Sequence, residues 1–174
     1  HMANVHDFFL PMLVEDRKNF YSANSIPAAV AMTHVRGDFN FSNVLRTANF
    51  FGFREVFYIG GSRQWDRRGA VGVQNYLKPV YCHDAVEFFS MIDGRYTAVA
   101  LENNIPDRKP VNMFEFKWPE SPVIIVGEEQ LGLTADILNR VAHFVEIPSF
   151  GTVRSMNVAT AAGIAMASYR QSLL

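Results

Sequence analysis

Four short runs of this chain, "IPAAVAMTHV" (26–35), "EVFYI" (55–59), "YTAVAL" (96–101) and "VIIV" (123–126), are apolar at consecutive positions rather than at alternate ones. A strand carries that pattern when both of its faces are buried. Sheets buried on both faces are built from parallel strands joined by crossover helices. Two further strands are expected at 80–82 and 145–147, and helices at 41–51, 83–91, 133–141 and 156–171 separate most of the strands. The expected fold class is α/β, a mainly parallel sheet flanked by helices. Apolar pairs at Phe8, Phe9, Met12 and Leu13 predict an N-terminal helix over about 4–23 with a charged exit at Glu15 to Lys18.

The 174 residues, 49% of them hydrophobic, are expected to form a single domain over 1–174. A net charge of −1 leaves any nucleic-acid partner to a local basic patch. The one cysteine, Cys82, excludes an internal disulfide and reads as a small core residue of a reduced, cytoplasmic protein. His1-Met2 resembles a tag remnant, no signal segment follows it, and the run 155–169 is too polar, at Asn157, Thr160 and Ser168, to span a membrane.

The common α/β fingerprints are absent. No GxGxxG follows the first strand, Gly127 to Gly132 lacks the lysine of a phosphate loop, and there is no GxSxG elbow. The five histidines show no paired ligand spacing, so no metal is expected.

Three polar clusters sit instead at strand ends. In "NFSNVLRTANFFGF", Phe41, Val44, Leu45, Ala48 and Phe51 form an apolar stripe about 120° wide, Gly52 stands at the C-terminal cap, Asn40 is at the N-terminal edge, and Asn43, Arg46 and Asn49 occupy another flank. Asn40 could be a helix cap and Arg46 a solvated side chain; equally, an always-charged guanidinium on a rigid helix suits phosphate or an oxyanion. "VIIVGEEQLGL" places Glu128 and Glu129 in a turn at the carboxyl edge of the sheet, where open α/β sheets bind ligands. In "IPSFGTVRSMNVATAAG", Ser155 takes the N-cap position, and Asn157, a poor helix former, stands one turn inside an apolar helix.

In this order the clusters resemble the three motifs of the SpoU/TrmH-type branch of the SPOUT superfamily, the RNA ribose 2'-O-methyltransferases. The first is carried by Asn40, Arg46-Thr47 and Gly52. Gly127, Glu129 and Gly132 carry the second, and Ile147-Pro148, Gly151 and Ser155-Met156-Asn157-Val158 the third. The resemblance runs from about residue 26 to 171. It implies a C-terminal deep trefoil knot whose loops, 100–102, 126–129 and 147–156, hold S-adenosylmethionine. The cofactor residues would be Leu101, Glu102, Gly127, Ile147, Ser155 and Met156.

It also implies roles. Arg46 would stabilise the ribose alkoxide together with RNA phosphate, and Asn40 would orient Arg46 or the ribose. Glu129 would hold the active-site loops, and Ser155 and Asn157 would join cofactor to substrate. The site would be completed across a homodimer, with Arg46 serving the partner's cofactor. Ser149, Met156 and Ala159 depart from the family's usual methionine, leucine and serine, but none of the catalytic candidates does.

RNA contact is expected from Arg63, Arg67 and Arg68 beside Trp65, with Arg36 and Arg54 nearby; a packed Trp65 in an arginine-rich surface loop is the alternative. The small residues from Ala159 to Ala167 would admit a second backbone, expected across the dimer. The implied function is methylation of structured RNA, tRNA before rRNA, with no DNA or membrane partner. An inactive RNA-binding relative and a base methyltransferase are the alternatives.

Overall fold

The computed structural model describes residues 4–36, 39–103 and 105–174. The expected tag remnant at 1–2 lies outside the described residues. The chain runs α1 (Val14–Asn24), β1 (Ile26–Val35), α2 (Asn40–Phe50), β2 (Phe53–Gly61), β3 (Val80–Cys82), α3 (Ala85–Ile92), β4 (Thr97–Leu101), β5 (Val111–Asn112), β6 (Pro122–Val126), α4 (Ala135–Leu138), β7 (His143–Glu146) and α5 (Val158–Ser172). The strands form one sheet in the order β3-β2-β1-β6-β4-β7-β5, and every neighbouring pair is parallel. The sheet grows outward from β1 through β2 and β3, and β4 begins on the other side of the gap that β6 later fills.

The double-faced runs have the burial they require. Val30, Met32, Val56, Tyr58, Val99, Leu101, Ile124 and Val126 point into a core shared with α2 and α5. Their alternates, Ala29, Ala31, Phe57, Ile59, Ala98, Ala100, Val123 and Ile125, point into a second core capped by α3 and α4. A three-layer arrangement follows directly, because each strand must satisfy two apolar faces.

Helix ends obey local chemistry. Phe51 is the C-cap of α2, and Gly52, at φ 76°, takes the left-handed conformation that turns the chain into β2. Asp84 caps α3 by accepting from the Glu87 amide at 2.9 Å, while the Glu87 carboxylate accepts from the His83 amide at 2.7 Å.

Several expectations are corrected. The N-terminal stretch is not one helix: residues Asp7–Phe9 form a 3-10 turn, and Pro11 separates it from α1. Glu15 and Asp16 occupy the first turn of α1, where carboxylates favour the positive end of the helix, so this charged segment is an entrance rather than an exit. Helix α4 has only four residues, β7 ends at Glu146 before Ile147, and a two-residue strand, β5, lies between the strands expected at 96–101 and 123–126. Two of the small residues of α5, Ala162 and Ala165, are fully buried, and a Cβ on Gly163 would touch Thr47 of α2 at 3.5 Å. Tyr169 anchors the far end of α5 by donating to the Glu120 carbonyl at 2.7 Å.

Cys82 lies fully buried beneath α3 with its Sγ 3.6 Å from Met91 Sδ. Burial, reinforced by the nearby Glu87 and Asp84 charges, pushes its thiol up to about 12. At pH 8 the thiolate fraction is then on the order of one in ten thousand. Folded protein is expected to resist an aromatic disulfide reagent at pH 8 and to react with one equivalent in guanidinium; rapid reaction of the native protein would contradict this packing.

Candidate functional site

The parallel register brings the carboxyl ends of β1, β4, β6 and β7 to one edge: Met32 lies beside Val126, Val126 beside Leu101, and Leu101 beside Val145. A half-open cavity occupies that edge, where strand ends leave backbone groups unpaired. Its walls come from the segments following β4 (Leu101, Glu102, Asn103), β6 (Gly127, Glu128, Glu129, Gly132) and β7 (Ile147, Ser155, Met156), closed by Val158 and Ala161 of α5. All six residues named from the sequence as cofactor candidates line this one cavity.

The turn after β6 explains why two glycines frame its glutamates. Its ends close on each other through the Gly132 amide, which donates to the Glu128 carbonyl at 2.8 Å. A side chain on Gly127 would collide with the backbone of Gly132, and Gly132 itself has φ 62°. The Glu102 carboxylate packs against this turn, accepting from the Leu133 amide at 3.1 Å and from the Asn103 amide at 3.0 Å. Asn103 Nδ2 in turn donates to the Arg154 carbonyl at 3.3 Å, linking the segment after β4 to the one after β7.

Asn157 is the hub. Its Oδ1 caps α5, accepting from the amides of Ala159 at 3.0 Å and Thr160 at 3.1 Å. Its Nδ2 donates to Asn40 Oδ1 at 3.0 Å and to Glu129 Oε1 at 2.8 Å. Asn40, Glu129 and Asn157 therefore meet, although 117 positions separate the first from the last. Two expectations change. Ser155 is not the cap of α5: Asn157 is, and Ser155 stands on the cavity wall. Asn40 is not the cap of α2 either: Phe39 takes that position, and Asn40, within the first turn, is tied to Asn157 rather than to Arg46.

Arg46 lies six residues beyond Asn40, about 9 Å along the helix, on the exposed side of α2. It lines a separate and larger concavity of about 850 Å³, together with Val5, His6, Phe9, Asn49 and Phe50. Among the described residues, the two concavities share no lining residue. Within one chain, then, the structure gathers Asn40, Glu129, Ser155 and Asn157 but leaves Arg46 apart.

The arginine loop after β2 is exposed at the same sheet edge. Arg63 stacks over Tyr81 at 5.0 Å, and Arg68 lies over Phe39 at 5.3 Å while its guanidinium grips Asp66. These Arg68 hydrogen bonds hold the Asp66 carboxyl below its ordinary value. Arg67 is exposed beside them. Trp65 is not a free stacking platform: half-buried, it packs edge-on against Phe41 at 5.2 Å. Arg54 is not part of this group, since at the start of β2 it bonds Ser25 at the opposite edge of the sheet. Arg36 serves the cavity turn instead, donating to Gln130 Oε1 at 3.1 Å and facing Glu128 Oε1 at 3.6 Å. Glu128, only 5% exposed, is a wall residue that the sequence signals only as an acidic neighbour of Glu129.

Comparison with known proteins adds to this geometry. The sequence model of the SpoU rRNA Methylase family matches residues 27–167. The tRNA (guanosine(18)-2'-O)-methyltransferase of Escherichia coli is 29% identical over 140 residues, 78% of this chain and 59% of that protein. The yeast protein of the same name is 35% identical over 74 residues, 42% of this chain and 5% of that one. This chain thus spans less than two thirds of the length of these curated relatives. A crystal structure of the Aquifex aeolicus TrmH/SpoU tRNA modifying enzyme superposes with a TM-score of 0.77 at 21% identity, covering 91% of this chain and 83% of that one. A crystal structure described as an RNA 2'-O ribose methyltransferase superposes with a TM-score of 0.71 at 26% identity, covering 84% and 57%.

The two ends of the Asn157 amide can be tested separately. Asn157→Ala, losing cap and donor, is expected to cost about 1–2 kcal/mol in urea unfolding. Asn157→Ser retains a capping oxygen without the amide donor, and is expected to unfold within about 0.5 kcal/mol of the wild type while losing the hydrogen bonds to Asn40 and Glu129. Equal losses of stability in both variants would show that the Asn40 and Glu129 bonds, not the cap, hold the helix start.

Proposed function

The chain belongs to the SpoU rRNA methylase family, and from that premise we propose that it transfers a methyl group from S-adenosylmethionine to a ribose 2'-hydroxyl of structured RNA, tRNA before rRNA. The observation that carries the reading is the convergence of three distant segments on one cavity at the carboxyl edge of the sheet. Its chemistry suits the cofactor. Leu101, Val126, Ile147, Met156 and Ala161 offer apolar surface for a purine, and Glu102, Glu128 and Glu129 offer carboxylates for ribose hydroxyls and positive charge. The knotted C-terminal path belongs to the same reading, supported by the Asn103–Arg154 and Glu129–Asn157 hydrogen bonds that hold residues 154–157 against the loops after β4 and β6.

S-adenosylmethionine supplies an electrophilic methyl group on a positively charged sulfur. The chain's task is to orient the ribose and to stabilise negative charge on an oxygen that is a poor nucleophile at neutral pH. The Arg46 guanidinium, permanently charged, suits the developing alkoxide and the adjacent phosphate. The Asn157 amide, fixed by Asn40 and Glu129, sets the mouth of the cavity. Arg63, Arg67 and Arg68, exposed at the same edge, suit the phosphate backbone. A 2'-hydroxyl is required, so DNA is not a substrate.

Because Arg46 faces a different concavity from these groups, the reading includes a homodimer in which Arg46 serves the second copy's cavity. The 81% exposed Phe50 on the Arg46 side of α2 is apolar surface for such a contact.

Incubation with methyl-labelled S-adenosylmethionine and total RNA tests the proposal. Label is expected in tRNA, within an alkali-resistant dinucleotide. Arg46→Ala is expected to lower kcat by about 100-fold or more while leaving cofactor binding near the wild-type value. No labelled RNA would favour a binding protein, and label released by alkali as mononucleotide would favour base methylation. Sedimentation is expected to show a dimer; an active monomer would remove the second copy from the mechanism.

A further inference from the structure

One carboxylate on the cavity wall takes no part in the transfer step itself. Glu128 is 5% exposed, stands on the wall, and is held at both oxygens: Oε2 accepts from the Leu131 amide at 3.1 Å, and Oε1 faces Arg36 Nε at 3.6 Å. Arg36 cannot fully cancel this charge within the cavity, because its side chain is 51% exposed and water screens it on the outer side. Two further wall carboxylates have the same sign. Glu102 lies against Gly132 and Leu133, and Glu129 accepts from Asn157 and from the Val158 amide at 3.4 Å. Among the described residues, no lysine or arginine lines the cavity.

Methyl transfer changes the ligand's charge. The methyl donor carries a sulfonium; when its carbon–sulfur bond breaks and the oxygen–carbon bond forms, the sulfur keeps the electron pair and becomes a neutral thioether, and the hydroxyl proton is released to solvent. A negative wall in a partly desolvated cavity therefore interacts more strongly with the ligand before transfer than after it. We propose that Glu128 is a specificity-determining residue: its buried charge makes the cavity prefer the cationic methyl donor over the demethylated product, and so favours product release. This rests on the S-adenosylmethionine reading and deepens it. Arg36 sets the strength of the preference by partly offsetting Glu128.

Calorimetric titration of the whole chain with three ligands provides the test: S-adenosylmethionine, its demethylated product S-adenosylhomocysteine, and sinefungin, in which an amine-bearing carbon replaces the methylsulfonium. Both cationic ligands are expected to bind about tenfold tighter than the product, the effect of one partly screened charge. Glu128→Gln, which can keep an acceptor for the Leu131 amide, is expected to reduce that ratio to about twofold to threefold, chiefly by weakening the cationic ligands. Arg36→Gln is expected to change the ratio in the opposite direction, raising it above the wild-type value, which keeps the test decisive if Glu128→Gln folds poorly. Equal affinities of all three ligands for the wild type, or a ratio unmoved by either substitution, would overturn the proposal while leaving the cofactor assignment intact. Failure of all three to bind the wild type would overturn both.

Discussion

Asn157 engages both ends of its carboxamide at once. One end stops the first amides of α5 from going unpaired, and the other crosses to side chains from α2 and from the turn after β6. The cap pairs the first amides of α5 and so fixes the position of Asn157, and that position then fixes Glu129 and Asn40. The bland composition of α5 serves the same end. Ala162, Ala165 and Gly163 allow α5 to lie close against α2, which keeps the Asn40 amide within reach of Asn157. Packing and site geometry are thus two aspects of one contact.

The sheet itself was highly legible. Residues 26–35 and 80–82 are strands with the expected limits, the first because a run apolar at consecutive positions has few alternatives to a doubly buried strand. Helix α2 was legible for a related reason: its stripe, its off-stripe polar residues and Gly52 are all local signals. Insertion of β6 between β1 and β4 was not read from local pattern, since strand order depends on crossovers that no short window contains. The apolar pairs at Phe8, Phe9, Met12 and Leu13 carry a helical spacing that Pro11 interrupts.

In the candidate site, the residues were legible and their partners were not. Asn157 stands out in the sequence as a poor helix former, but serine and asparagine cap helices about equally well, so local pattern does not separate Ser155 from Asn157. The choice between them is made by where the loop leaves the cavity wall, a tertiary fact. Arg46 and Asn40 are close in sequence and lie on one helix, but only Asn40 reaches the junction with Asn157. Glu128 and Arg36 lie 92 positions apart, and no sequence signal pairs them. Trp65 beside three arginines suggested an aromatic platform, whereas its ring completes the core against Phe41.

If the three strand-end segments form one ligand site held at Asn157, they should respond to a ligand together. Hydrogen–deuterium exchange of the wild-type protein with and without S-adenosylmethionine measures this directly. Concerted slowing is expected in 101–103, 127–133 and 154–160, with little change at α1 or α3. Slowing confined to one of these segments, or centred on the Arg46 concavity instead, would contradict the account.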